Sequence, residues 1–198
     1  ALAALELFAD EPSVRESIAA GADVVTFSGD KMLGGPQAGI VVGRAATVGA
    51  MRRHPLARAL RIDKLDLAAL DAVLRLYLDP AAASARIPTL AALAAPLGEV
   101  ERRAARLAKA LAETGEDVTV AVVPSVARAG AGALPVAEVP SVAVAVAAVG
   151  ADAAEIAARL RRGAPAVVGR VQDGRLHLDA RTLRDADLAD LAAAVGRA

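Results

Sequence analysis

The segment "TFSGDKMLGGPQAGIVVG", Thr26 to Gly43, places one lysine, Lys31, in a glycine-rich turn between two apolar runs. An amine is a nucleophile only when neutral. Its ordinary pKa of about 10.4 must be lowered by burial or by a nearby cation for work near neutral pH. Gly29, Gly34 and Gly35 leave room for a flat group to approach the backbone, and free amides in such turns can bind an anion. Ser28 stands three residues before the lysine. Its hydroxyl could hold a phosphate while the amine condenses with an aldehyde, which is the chemistry of a pyridoxal-phosphate site.

The short pattern also admits other readings. Ser-x-x-Lys opens the active site of penicillin-binding proteins and β-lactamases, but their Ser-Asp-Asn and Lys-Thr-Gly elements do not occur here. A solvated turn lysine, with glycines serving only turn geometry, fits the same residues.

The elements that must position this turn follow from periodicity. "EPSVRESIAAG" predicts a short helix with Pro12 in its first turn, Val14 and Ile18 on one face and Gly21 past its end. Asp23 to Phe27 predicts a short buried strand and Ala38 to Gly43 a second. Lys31 then lies at a sheet edge, where α/β enzymes commonly keep their chemistry. Arg44 to Lys64 is basic, carrying Arg44, Arg52, Arg53, His54, Arg58, Arg61 and Lys64. Leu67, Leu70, Val73, Leu74 and Leu78 then recur at helical spacing, with Asp66 near the positive helix end. Two prolines in Asp79 to Pro88 break the pattern, and a domain boundary is expected there.

Beyond it, Leu97, Val100, Ala104, Leu107 and Leu111 predict a helix. Asp117 to Val123 and Ser141 to Val149 predict strands, and Asp152 a cap for a helix carrying Ile156 and Leu160. Asp173-Gly174 predicts a hairpin turn. Thr182 and Asp185 resemble a capping pair before a last helix with Leu188, Leu191 and Val195. Helices mixed with antiparallel strands make this part a small α+β domain. Arg102-Arg103 and Arg161-Arg162 are expected on exposed helix faces, and His177 in a structural role.

Composition narrows the class. The chain is 56% hydrophobic but 2% aromatic, so its core must be Ala, Val and Leu. Lys+Arg and Asp+Glu both number 23, which excludes bulk electrostatic steering to nucleic acid. The sequence has no cysteine, hence no disulfide framework, zinc-thiolate site or thiol nucleophile. No apolar run reaches the roughly 20 residues needed to cross a bilayer. The opening "ALAALELFADEPS" lacks a basic n-region and a cleavage site. It runs directly into apolar sequence without a Met, and we expect a fragment of a longer chain.

Longer strings are more specific. "ADVVTFSGDKMLGGPQAGIVVGR" resembles the active-site segment of bacterial selenocysteine synthases, the L-seryl-tRNA(Sec) selenium transferases. "HPLARALRIDKLDLAALDAVLRLYLDP" and "RIPTLAALA" continue the resemblance in order, and "GALP", "VPSVAV" and "VGRVQDGRLHLDARTL" resemble that family's C-terminal domain. Met32 stands where leucine is expected, a volume-conserving change. "GAGALPVAE" carries alanine and valine where glycine and serine are expected.

The resemblance implies an α/β, pyridoxal-phosphate-dependent transferase type I (aminotransferase-like) fold. It implies the C-terminal part of the large cofactor-binding domain over 1–64, an interdomain helix and linker over 65–88, and a small α+β C-terminal domain over 89–198. Lys31 matches the Schiff-base lysine, and Asp30 precedes it as a second catalytic residue. Ser28 and Gly29 join Lys31 as cofactor contacts. Arg58 and Arg61 match arginines of the selenophosphate pocket, and their three-residue spacing suits one side of a helical turn, where two guanidinium forks can clamp a phosphate. The implied reaction converts seryl-tRNA(Sec) to selenocysteinyl-tRNA(Sec) by β-replacement, in a cytoplasmic homo-oligomer built as a ring of dimers, with no membrane. The family's tRNA-binding domain and most cofactor contacts lie upstream of this segment, so the chain alone is expected to be inactive. Two alternatives remain open: a related lyase acting on a small phosphorylated amino acid, and a truncated chain with only an interaction role.

Overall fold

The computed structural model describes residues 11–115, 118–129 and 138–198. The chain's opening, Asp117 and the GALP stretch (132–135) lie outside the described residues. The rest divides into two compact units, one running to Ala94, the other comprising Ala95–Arg128 and 138–198. The sequence pattern predicts a boundary within Asp79 to Pro88.

In the first unit, α1 (Val14–Ala19) starts with a capping box. Ser13 Oγ accepts from the Glu16 amide at 3.2 Å, and the Glu16 carboxylate accepts from the Ser13 amide at 2.7 Å. Pro12 therefore precedes the cap instead of entering the first turn. β1 (Val24–Ser28) and β2 (Gly39–Gly43) pair antiparallel, with Val24 opposite Gly43 and Ser28 opposite Gly39. A Cβ on Gly43 would sit 2.3 Å from the Asp23 carbonyl oxygen, so only glycine closes this register.

The basic segment forms α2 (Ala45–Arg53) and α3 (Pro55–Ala59), divided by His54. His54 Nδ1 accepts from the Leu56 amide at 3.2 Å, so this histidine is a helix cap. Asp63 caps α4 (Lys64–Leu76), its carboxylate accepting from Leu65 N at 2.7 Å and Asp66 N at 2.9 Å. Asp79 does the same for α5 (Pro80–Arg86), which α6 (Pro88–Ala94) follows. Ala83, Ile87 and Leu90 form the unit's core, with Met32, Val73, Leu76 and Tyr77 packed against them. The leucine stripe of α4 is only half used: Leu70 is buried, whereas Leu67 and Leu74 are exposed.

The second unit is a four-stranded antiparallel sheet with three helices. β3 (Val118–Ala127), β4 (Val139–Ala148), β5 (Arg170–Gln172) and β6 (Arg175–Asp179) lie in the order β3-β4-β6-β5. Asp173 and Gly174 join β5 to β6 with φ of 50° and 68°, the paired positive angles of a tight hairpin turn. α7 (Leu97–Ala112) buries Val100, Ala104, Leu107 and Leu111. These meet Val142, Val144 and Val146 of β4, Leu176 and Leu178 of β6, Ile156 and Leu160 of α8 (Ala153–Arg162), and Leu191 and Val195 of α9 (Leu188–Gly196) in one cluster. Asp152 caps α8 as expected, accepting from Ala154 N at 3.3 Å.

The start of α9 differs from expectation. Two short 3₁₀ turns, Ala180–Thr182 and Asp185–Asp187, precede it, and Asp187, its N-cap residue, makes no side-chain cap bond. Thr182 Oγ1 donates to the Asp179 carbonyl at 3.0 Å instead. Asp185 accepts from Arg103 Nε at 2.9 Å and Arg106 Nη2 at 2.7 Å. Arg103 is thereby drawn in to 15% exposure, against the free surface expected of it. Nearby, the buried Arg181 donates its guanidinium to the carbonyls of Ala95 at 2.8 Å and Pro140 at 2.5 Å. Burial pushes this guanidinium below its ordinary pKa, and the Asp179 charge opposes the shift. Asp179 in turn accepts from Ser141 Oγ at 2.6 Å, Ser125 Oγ at 2.9 Å and the Arg181 amide at 3.0 Å.

Two outcomes are expected. Leu107→Ala, which opens a cavity at a fully buried site, costs about 2–5 kcal/mol in denaturant unfolding. Asp185 is held below the usual carboxylate range, chiefly by the hydrogen bond from Arg103 and next by that from Arg106. Its stabilisation is therefore present above the ordinary carboxylate pKa and lost as pH falls through the depressed value. Asp185→Asn should lower the urea midpoint at neutral pH, and the gap to wild type should close below about pH 4. A gap that stays constant with pH contradicts this.

Candidate active-site lysine turn

β1 delivers the chain at Ser28 into a turn closed by its own backbone. Gly29 N donates to Ala38 O at 2.8 Å, Gly35 N to Gly29 O at 2.8 Å, and Gly34 N to Lys31 O at 3.0 Å. Gly34 has a φ of 75°, and a Cβ there would stand 2.5 Å from Ile87 Cγ2. Glycine is thus required both by conformation and by contact. Met32, next to the lysine, packs into the Ile87 cluster. The Tyr77 hydroxyl reaches back from the end of α4 and donates to the Leu33 carbonyl at 3.0 Å. Burial raises the pKa of this hydroxyl and keeps it a donor.

On this frame Lys31 Nζ lies 3.0 Å from Asp30 Oδ2, with the lysine side chain 45% exposed. The Lys31 hydrogen bond is the largest cause holding the Asp30 carboxyl below its ordinary range, and Ser28 makes a smaller contribution. Ser28, Asp30 and Lys31 thus stand close together at the start of the turn. The burial or cation that the sequence argument asked for is not what the turn supplies: the amine is accessible, and its partner is a carboxylate. An exposed amine of this kind can meet an aldehyde from solvent.

Arg58 and Arg61 are placed differently from expectation. Arg58 is in the last turn of α3, which ends at Ala59, and Arg61 lies beyond it, so the two do not share a helical turn. His54 and Pro55 set the start of α3 and Leu60 is its C-cap, so Arg61 falls between this helix and the Asp63 cap of α4. Both arginines are exposed. Among the described residues no ion pair involves Arg52, Arg53, Arg58, Arg61 or Lys64, whereas Arg44 pairs with Asp23 at 3.0 Å. Among the described residues no hydrogen bond joins the arginine pair to the lysine turn. His177 sits in β6 opposite Ala145, as a strand residue. Tyr77 is the site residue that sequence reasoning missed. Its signal was its rarity: it is the sole tyrosine of the chain.

Other chemistry is sparse. A groove of about 580 Å³ in the second unit is floored by Val122, Pro124, Pro140 and Val142, and the hydroxyls it offers, Ser125 and Ser141, already donate to Asp179. Among the described residues no cluster of His, Asp and Glu could hold a metal, and no helix is long and apolar enough to cross a membrane.

Comparison with known proteins places this geometry. The solved structure of D-glucosaminate-6-phosphate ammonia-lyase matches with a TM-score of 0.56 at 22% identity, over 91% of this chain and 45% of that one. The fold is α/β, of the pyridoxal-phosphate-dependent transferase type I (aminotransferase-like) class, with part of a large domain followed by a small α+β domain. The L-seryl-tRNA(Sec) selenium transferase of Moorella thermoacetica is 50% identical over 189 residues, covering 95% of this chain and 40% of that protein. Those of Nitratidesulfovibrio vulgaris and Geobacter sulfurreducens are 47% and 50% identical, over 95% and 89% of this chain and 40% and 38% of theirs. The chain thus spans about two fifths of the length of these relatives. The family model for L-seryl-tRNA selenium transferase matches residues 2–184, through the lysine turn, the arginine segment and most of the second unit, and the chain belongs to that family.

Proposed function

We propose that this chain is the lysine-bearing part of a pyridoxal-phosphate-dependent enzyme that converts seryl-tRNA(Sec) to selenocysteinyl-tRNA(Sec) with selenophosphate. The observation that carries this reading is the 50% identity to a selenium transferase over 189 residues that include the whole Lys31 turn. The residues present fit the lysine side of a cofactor site. Nζ is accessible, Ser28 is exposed beside it, and no bulky side chain follows Ser28 until Met32, which turns inward to the core. Groups for the rest of the ring belong to the larger share of the relatives that this chain does not span.

Each residue then has a task. Lys31 Nζ would hold the cofactor, with Ser28 and Gly29 against it. When bound, pyridoxal phosphate supplies an electron sink for the charge left at the substrate α-carbon. Lys31 Nζ, once free, moves the α-proton. Asp30, 3.0 Å away, holds the protonated amine in place. Arg58 and Arg61, exposed and without an ion pair, bind the phosphate of the selenium donor and keep it near the substrate β-carbon, which makes the addition effectively intramolecular. The seryl-tRNA is held chiefly by parts outside this chain, in a cytoplasmic oligomer, and the chain alone does not turn over.

Borohydride reduction of the full-length protein with pyridoxal phosphate should label the Lys31 peptide, and Lys31→Ala should abolish that label. A label on a different lysine sinks the assignment. In the same protein, Arg58→Ala or Arg61→Ala should raise KM for selenophosphate by about 10–100-fold, the cost of losing a charged hydrogen bond, while seryl-tRNA binding in a filter assay stays unchanged. Equal losses for both substrates would place the arginines elsewhere.

A further inference from the structure

The turn between Ser28 and Ala38 closes three backbone hydrogen bonds of its own, and they use the amides of Gly29, Gly34 and Gly35. None of them serves the carbonyls of Met32 and Leu33, the two residues that follow Lys31. Both carbonyls face the Tyr77 hydroxyl, at 3.5 Å and 3.0 Å. The contact spans 44 residues of sequence to Leu33, so it is a tertiary clamp and not a local turn bond. Tyr77 is the C-cap residue of α4, and its ring packs on the Ala83–Ile87–Leu90 cluster together with Met32. The same helix touches the turn a second time: Leu70 Cδ1 lies 3.3 Å from where a Cβ on Gly35 would stand. At its other end α4 begins at Lys64, shortly after Arg61.

We propose that Tyr77 is a positioning residue for Lys31: its hydroxyl, donated to the Leu33 carbonyl, fixes the turn so that Nζ meets the cofactor aldehyde in one orientation. Without that donor the bonds from the Gly34 and Gly35 amides open more often, and the segment carrying the lysine is free to rock about Ile87. Lys31 then spends less time where its amine can react, and reaction slows even though every group named in the chemistry is still present. Because α4 carries the clamp at one end and leads back to Arg61 at the other, the helix also relates the lysine to the arginine segment. This inference rests on the pyridoxal-phosphate reading above.

The test uses the full-length protein with pyridoxal phosphate as the probe. Tyr77→Phe removes the hydroxyl and keeps the ring. Val73→Ala, in the same cluster but with no bond to the turn, is the control for lost stability. Three quantities are read: the rate of borohydride-trapped label at Lys31, amide hydrogen exchange at Gly34 and Gly35, and the unfolding midpoint. Tyr77→Phe should slow labelling about 5–10-fold, within the range that small misplacements produce, and should speed exchange at both glycines. Val73→Ala should lower the unfolding midpoint while labelling at the wild-type rate. Wild-type labelling and exchange in Tyr77→Phe would overturn the proposal, as would equal slowing in Val73→Ala. A wild-type protein that takes no label at Lys31 overturns the cofactor reading instead, and the exchange rates then decide separately whether Tyr77 holds the turn.

Discussion

The lysine turn has neither helix nor ladder to hold its middle, and its position depends on a wedge of side chains from later in the chain. Ile87 occupies the space where a Gly34 side chain would be, and Tyr77 satisfies the Leu33 carbonyl just before it. Buried or half-buried backbone groups need partners, and here the partner comes from α4. The cluster under the turn is small, three buried residues with Met32, Val73, Leu76 and Tyr77 around them. A small core of aliphatic side chains can nonetheless fix a turn when the turn has almost no side chains to displace.

The second unit is organised by a different constraint. Its hydrophobic cluster is conventional, with the α7 stripe against the valines of β4. The joint between β6 and α9 is polar, and Asp179 sits at its centre, accepting from two serines and the Arg181 amide. A buried guanidinium is costly unless its donors are met. Arg181 Nη1 and Nη2 donate to carbonyls from the start of the unit and from β4, which ties three separated stretches of chain together. Arg103 and Arg106 add a second tie, from α7 to Asp185.

The charge distribution divides the cations into two groups. Most arginines of the second unit have an acidic or carbonyl partner, whereas among the described residues Arg52, Arg53, Arg58, Arg61 and Lys64 have no ion pair. The acid among them, Asp63, is spent on the cap of α4. A balanced chain thus carries one locally unbalanced segment, which supports reading it as the place for an anionic substrate.

Much of this was legible in the residues alone. Short β-branched runs predicted the two strands around Lys31, though as buried strands where the structure leaves both partly exposed, and helical spacing, cap and turn residues predicted the α7 stripe, the Asp152 cap and the Asp173-Gly174 hairpin, because these depend on neighbours within a few positions. The grouping of Ser28, Gly29, Asp30 and Lys31 was equally local. Three features were not readable. α3 ends at Ala59 with Leu60 as its C-cap, and the arginines do not share a helical turn. Asp185 was drawn from a capping role by two arginines about 80 positions earlier. Tyr77 was paired with a carbonyl 44 positions before it. Local pattern specifies which backbone conformation each segment prefers and which groups stand side by side. Which distant donor finds which acceptor is decided only when packing brings the segments together, and in this protein that step settles how the lysine is held.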